Sequence, residues 1–320
     1  MPVASAMCRQ YNADASTFSG GTRLRFEPLT LTRKVTHPSK DLGSDVVVPV
    51  AVISLADMTG RRDNLLLGNV PAAWVECYFP AVDMRRAERR ECDGVTDCTR
   101  ILADYGREFS PGEIGCALSH HLVYRQFLDS PHDLALVLED DSLPCNNGIE
   151  QVAQLGASLL AAARDGKSFV CNIGLPELYT QDHIVRAVDL QSFAAEQVRL
   201  FEHVDPRFSL WRANAYLISR RAARNIVNRE KRVSVLADDW SRRRAVGSVK
   251  HLLFPAKPFF FQDQTLGSTI EEGRSESHQT LAIPANSNPS IGERISHALL
   301  HRSRIAVARL KRLASLRLLL

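Results

Sequence analysis

The sequence lacks any long hydrophobic run. Its longest early apolar stretch, Val46 to Leu55, is broken by Pro49 and covers about half of the ~20 residues a bilayer-spanning helix needs. No transmembrane helix is therefore expected. The start of the chain, Met1 to Arg9, has no basic segment leading into an unbroken apolar stretch, so no secretory signal is read and a cytoplasmic protein is expected. Cys-x-x-Cys spacing is missing as well. Cys8, Cys77, Cys92, Cys98, Cys116, Cys145 and Cys171 form no pair of that kind, so a zinc ribbon or a dithiol redox motif is excluded and reduced, mostly structural thiols are expected. No internal repeat is present. A basic body is absent too: the net charge of +4 comes from residues 291–320, which hold seven Lys/Arg against Glu293, and without them the chain carries −2. A surface that tracks phosphates along a nucleic acid needs the basic excess this body lacks.

What is present suits an ordinary globular protein. The chain has 320 residues, 45% of them apolar, enough for a substantial core in one large domain or two small ones. Residues 1–45 are rich in Ser, Thr, Asp and Gly with little periodicity, and a flexible or peripheral extension is expected there. Val46 to Leu55 reads as a buried parallel strand closed by Asp57, Thr59 and Gly60. A helix from about Arg61 to Asn69 and a strand near Trp74 to Phe79 would complete a βαβ unit.

Ser110-Pro111-Gly112-Glu113 combines an N-cap serine, a proline at the first helical position and a glutamate able to close a capping box, so a helix begins at Pro111 and ends at Ser130-Pro131. Leu134 to Leu138 is a second buried strand, Gln151 to Arg164 a helix, and Phe169 to Ile173 a third strand. Ala215 to Ser219 is a strand that feeds a basic helix from Arg220 to about Arg229, and Leu252 to Pro255 opens a late proline-bounded segment. This alternation predicts an α/β fold with a mainly parallel central sheet.

Three consecutive acids, Glu139-Asp140-Asp141, follow the second strand. A carboxylate in apolar surroundings costs several kcal/mol unless a cation or donors compensate it. In open α/β sheets, ligands bind beyond the carboxyl ends of strands, where this cluster falls. In an extended chain Glu139 and Asp141 point one way and Asp140 the other, an acid-x-acid pair able to hold Mg²⁺ or Mn²⁺ through oxygen. An acidic turn capping a strand explains Glu-Asp-Asp equally well when the triplet is taken alone.

The triplet does not stand alone. Val52-Ile53-Ser54-Leu55 with Arg61-Arg62, Phe79 to Asp83, Pro111 to His120, Leu136 to Asp141 and Ala215 to Arg220 occur in an order that resembles the family 25 glycosyltransferases. That is the lipooligosaccharide galactosyltransferase-like group, which also includes collagen galactosyltransferases. The resemblance spans roughly residues 50 to 270. It implies a GT-A-like nucleotide-sugar-binding fold, a UDP-sugar donor (often UDP-galactose) and inversion at the anomeric carbon. By the same resemblance Ser54, Leu55 and Arg62 would border the nucleotide and Asp83 would fix the uridine end. Asp141 would bind the metal, Asp140 the ribose, and Glu139 would support them.

Other residues in these pieces have structural work to do. Glu113 is read as the capping-box acid and Gly115 as the point where the helix approaches the sheet. A histidine at the depth of His120 or His121 is more often packed or solvent-facing than a base, and of the two His120 would be tested first.

An inverting transfer needs a base for the acceptor hydroxyl. Asp238-Asp239 sits where related enzymes carry an acid after the Tyr-Leu-Ile-Ser strand and its helix, with Asp239 preferred over Asp238. Trp240 beside it could stack on a sugar. A helix N-cap aspartate followed by a core tryptophan fits the same residues. The family pattern there often has a proline where this chain has Ala237. Phe259 to Phe261 reads as core.

In residues 291–320, Ile295, Leu299, Ala306, Leu310 and Leu313 fall near one helical face flanked by Arg302, Arg304, Lys311 and Arg312. This is the pattern of an interfacial helix able to hold the protein at the anionic inner leaflet, or of a basic arm docked on the body or a partner. The domain reading is therefore an N-terminal extension over 1–45, a catalytic domain over 46–288 and a basic amphipathic helix over 289–320. The function so implied is transfer of a hexose, galactose first among them, from a UDP-sugar to a hydroxyl of a lipopolysaccharide, lipooligosaccharide or other surface-glycan precursor. A non-catalytic glycan- or nucleotide-binding family member, and a metal-dependent phosphoryl or nucleotidyl enzyme, are the alternatives.

Overall fold

Strand β2 (Val46–Ser54) is apolar at successive positions, which in a pleated strand commits both faces to burial. The structure, a computed structural model, describes residues 27–31, 46–174, 185–187, 198, 200–204 and 210–266. The chain divides into two compact units, Met1–Ser277 and His278–Leu320, and every described residue belongs to the first. The interfacial helix expected over 289–320, and the end of the late block at Ser268 to Ile270, lie outside the described residues, as does most of the 1–45 extension. Residues Glu27–Leu31 of that extension form β1, an antiparallel edge strand on β2.

The two faces of the sheet follow from the pleat. Val48, Val50 and Val52 of β2, Leu134, Leu136 and Leu138 of β4 (Leu134–Glu139), and Ala215 and Leu217 of β9 (Ala215–Ser219) enter one core. Helix α6 (Gly148–Arg164) covers them through Val152, Leu155 and Leu159, with α1 (Thr59–Leu67) and α2 (Ala72–Glu76) adding Leu65, Trp74 and Val75. The alternate residues, Ala51 and Ile53, Ala135 and Val137, Tyr216 and Ile218, face a second core. That core is closed by α5 (Pro111–Asp129), α7 (Arg220–Arg229) and α8 (Trp240–Ala245). A smaller core joins Val82, Met84 and Phe109 to Val95 of α3 (Arg89–Val95), Ile101 of α4 (Cys98–Tyr105) and Ile114 of α5.

The α/β class expected from the sequence holds, and the sheet is mixed. Strand β2 runs parallel to β4 and to the short β3 (Phe79–Pro80), and β6 (Phe169–Asn172) runs parallel to β10 (His251–Pro255). Between these parallel pairs lies β9, antiparallel to both β4 and β6, while β8 (Leu200–His203) and β7 (Val185–Ala187) extend the far edge in antiparallel fashion. Ser219 at the end of β9 caps α7 at once, its hydroxyl accepting from the Ala222 amide. A separate ribbon pairs β5 (Ser142–Pro144) with β11 (Phe260–Gln262). Phe259 and Phe260 are core, as expected, whereas Phe261 is exposed.

One expected strand is a helix. Trp74 and Val75 are adjacent and both enter the same core, which neighbours on a strand cannot do because they face opposite sides. The α2 turn, entered from Pro71, satisfies both, and the strand shrinks to Phe79–Pro80. The capping box at Ser110 is present: Ser110 Oγ accepts from the Glu113 amide and Glu113 Oε2 accepts from the Ser110 amide. Arg107 adds a two-pronged salt bridge to Glu113 at 2.7 and 2.6 Å. Gly115 serves a close approach, to the Val82–Met84 segment rather than to the sheet: a Cβ there would meet the Val82 carbonyl oxygen at 2.7 Å. None of the described helices is long and apolar enough to cross a membrane.

Gly115→Ala should therefore destabilise the fold by about 1–3 kcal/mol, since backbone has to move to admit the methyl group. Gly60→Ala, whose Cβ would meet nothing within 4 Å in the first turn of α1, should be neutral or stabilising by about 0.5–1 kcal/mol. Urea denaturation of the two variants checks the contrast.

Candidate functional site

Parallel pairing brings the site together. Ile53 of β2 lies opposite Glu139 of β4, and Ser54 opposite Pro80 of β3, so three strands run out at one level. The cleft beyond them is lined by Ser54, Leu55, Arg61, Asp83, Arg85, Cys116, His120, Gln262 and all three acids of the triplet. Helix α5 crosses this edge and presents Gly112, Cys116, Ser119 and His120 to it at helical spacing.

The sequence placed Asp140 opposite in direction to Asp141. The structure corrects this, because extension ends at Glu139 and the chain turns through Asp140 and Asp141. Both carboxylates then meet one guanidinium: Arg61 Nε is 3.2 Å from Asp140 Oδ1, and Arg61 Nη2 is 3.0 Å from Asp141 Oδ2. Asp140 Oδ2 also accepts from Ser54 Oγ at 2.8 Å, and Asp141 Oδ2 from Gln262 Nε2 at 3.0 Å. Asp141 Oδ1 is buried and has no partner. Burial first, and then the charge of Glu139, push the Asp141 carboxyl up to about 6, against Gln262 and Arg61. An enclosed carboxylate oxygen with no donor is the kind of atom a cation satisfies, and the oxygen-only donors here suit Mg²⁺ or Mn²⁺.

Glu139 has a different environment. Its Oε1 lies 3.0 Å from His120 Nε2, while His120 Nδ1 lies 2.7 Å from the Tyr216 hydroxyl, which in turn meets Tyr124 Oη at 2.8 Å. A quarter of the Glu139 side chain still reaches the cleft, yet burial, then the charges of Asp238 and Asp140, push its carboxyl up to about 8. Burial, followed by the charge of Arg243, brings His120 down to about 3. A proton held on Glu139 and a neutral ring form one consistent set: Nε2 accepts from Glu139, and Nδ1 donates to Tyr216.

The remaining expected residues divide. Asp83 lines the cleft with its carboxylate engaged by Arg85, whose Nη2 also reaches Asp57 at 2.8 Å. Arg62 is turned into the loop. It donates to Ser54 Oγ, to the Leu55 carbonyl at 2.7 Å and to the Ala56 carbonyl at 3.0 Å, and it lies over the Tyr78 ring. Arg61, its neighbour a hundred degrees round the helix, is the cation that faces the acids.

Asp239 caps α8, with Oδ1 accepting from the Arg242 amide and Oδ2 from Tyr105 Oη. Asp238 is half-buried, and its charge acts on His120, Glu139 and Cys116. Neither Asp238 nor Asp239 is among the residues that line the cleft. Trp240 is fully buried against Tyr216 and is core, not a sugar platform. His121 faces Glu230, which pairs with the enclosed Arg243.

Sequence reasoning singled out no role for Arg61, Cys116 or Gln262 in the cleft. Two adjacent arginines differ only in helical phase, and Gln262 arrives through the β5–β11 pairing, which joins segments more than a hundred residues apart.

The carboxyl of Glu139 has a folded pKa above its ordinary 4.5, so between about pH 4.5 and 8 the folded state binds more protons and stability falls as pH rises. Glu139→Gln removes this dependence. Its stability relative to wild type should grow from pH 5 to 8, at up to about 1.4 kcal/mol per pH unit, in urea denaturation curves. A pH-independent difference would place the proton elsewhere.

A protein-family comparison bears on this site. The model for glycosyltransferase family 25 (LPS biosynthesis protein) matches residues 48–241, from β2 into α8, a span that holds every cleft residue named above except Gln262. No curated protein matches the chain. With more than half of its length covered, and with the acids, Arg61 and α5 all inside the matched span, the chain belongs to glycosyltransferase family 25.

Proposed function

We propose that the chain transfers a hexose, with galactose the first candidate, from a UDP-sugar to a hydroxyl of a lipopolysaccharide or lipooligosaccharide precursor, with inversion at the anomeric carbon. The observation that carries this reading is the unpartnered, buried Asp141 Oδ1 at the carboxyl end of β4, beside Asp140 and Arg61. A divalent cation held at Asp141, Mn²⁺ or Mg²⁺, would supply the charge neutralisation that a departing diphosphate needs. The chain's own residues do the rest. Arg61 contributes positive charge to the same corner, and Asp140, whose Oδ2 is held by Ser54, would take the ribose hydroxyl. Asp83 and Arg85 also line the cleft, in keeping with a uridine-end contact.

With Glu139 carrying a proton and Asp239 committed to the α8 cap, the base for the acceptor hydroxyl falls to Asp238. The acceptor oxygen attacks the anomeric carbon from the side opposite UDP, its proton passes to Asp238 and UDP leaves with the bonding electron pair. The sequence pattern of residues 291–320 favours delivery of the enzyme to an anionic membrane surface, where a lipid-linked acceptor is displayed.

With Mn²⁺ and a panel of UDP-sugars, wild-type protein should release UDP and Asp141→Asn should lose about 10²–10³ in rate. Asp238→Asn should lower kcat by about 10²–10⁴ with KM for the donor little changed, whereas Asp239→Asn should mainly reduce stability, by about 1 kcal/mol. Absence of turnover with every UDP-sugar, or an Asp141→Asn enzyme as fast as wild type, would overturn the reading. Full-length protein should float with anionic liposomes and a chain ending at Asn288 should not; equal flotation removes the membrane element.

A further inference from the structure

Beside the oxygen-only corner of the cleft lies a second donor set of different chemistry. Cys116 and His120 stand one turn apart on α5, and Glu139 faces them from the end of β4. A thiol sulfur, an imidazole nitrogen and a carboxylate oxygen from these residues lie within 4.8 Å of one another. The His120 Nε2 to Glu139 Oε1 distance, 3.0 Å, is close to the separation of two ligands on one tetrahedral ion.

We propose that Cys116, His120 and Glu139 form a binding site for Zn²⁺ or a similar borderline-soft divalent ion, distinct from the Asp140–Asp141 corner. Three features of the geometry support the assignment. First, the donors are one sulfur, one nitrogen and one oxygen, a set that selects Zn²⁺ or Co²⁺ over Mg²⁺, Mn²⁺ or Ca²⁺. Second, a thiolate and a carboxylate balance the charge of a divalent ion while the imidazole stays neutral, so the filled site is uncharged, as suits a partly buried position.

Third, the outer shell is already built. His120 Nδ1 is held by the Tyr216 hydroxyl, and that hydroxyl by Tyr124, so Nε2 is fixed towards Glu139 in the way metal-bound histidines are oriented by their second nitrogen. Three protein ligands leave the fourth position of a tetrahedral ion open, and all three residues line the cleft from which it would be filled. The widely spaced cysteines gave no zinc motif in the sequence; a helical i, i+4 pair completed by a strand end is not a local spacing. Binding displaces the Cys116 thiol proton and the proton shared by Glu139 and His120. The site does not depend on the glycosyl-transfer reading, and its test uses no sugar.

The test is a Co²⁺ titration of full-length, thiol-reduced protein, followed by thiolate-to-cobalt charge-transfer absorption in the near ultraviolet and by bleaching of that band with Zn²⁺. Wild type should develop the band at a single class of site. Cys116→Ser should abolish it, His120→Gln should weaken binding at least 10-fold, and Tyr216→Phe should weaken it about 10–100-fold, with unchanged circular dichroism in each case. Asp141→Asn should retain the band. The proposal is overturned if wild type gives no band, if Cys116→Ser keeps it, or if Asp141→Asn loses it.

Discussion

The rest of this site depends on how three carboxyl groups are accommodated where a buried strand ends. Water is largely removed from all of them, and each is handled differently. Asp140 and Asp141 share the guanidinium of Arg61, with Ser54 and Gln262 supplying further donors. Glu139 is given a neutral imidazole and is pushed towards its protonated form instead. A single short peptide thus presents two anionic oxygens and one proton-holding carboxyl, and the division follows from which groups the neighbouring elements bring within reach.

Much of the framework was legible because its causes are local. The Ser110-to-Glu113 capping box, the apolar runs of β2, β4 and β9 and the acidic stop after β4 each rest on a few consecutive residues, and each is present. What was not legible depends on distance along the chain or on helical phase. Whether Arg61 or Arg62 faces the acids is a matter of one helical step, and Gln262 is delivered by strand pairing across a long separation. The segment from Trp74 misled because an apolar pair has no period, and only burial of both neighbours on one face distinguishes helix from strand. Asp238 and Asp239 differ in that both oxygens of Asp239 are engaged, Oδ1 by the Arg242 amide of α8 and Oδ2 by Tyr105 of α4.

A buried ionic network supports the Asp238 turn. Arg243, fully enclosed, donates to the Ala237 carbonyl at 2.6 Å, pairs with Glu230 and lies over the Trp240 ring, while Glu230 also meets His121 on α5. Removing one member of such a set strands a charge in the interior, so the network holds α5, α7 and α8 to one arrangement. The loop that carries Asp238 is thereby tied to the helix that carries His120.

Helix α5 gives this arrangement a further consequence. Its cleft-facing residues, Gly112, Cys116, Ser119 and His120, and its core-facing residues, Val123, Tyr124 and Phe127, lie on a single continuous helix. Inserting or deleting one residue between Ser110 and His120 would turn every later side chain by about 100° relative to the anchored cap. Either the cleft face or the core face could be kept, but not both. Chain length in this stretch is therefore as tightly constrained as residue identity, and variation between related cleft shapes has to enter through the loops around α5.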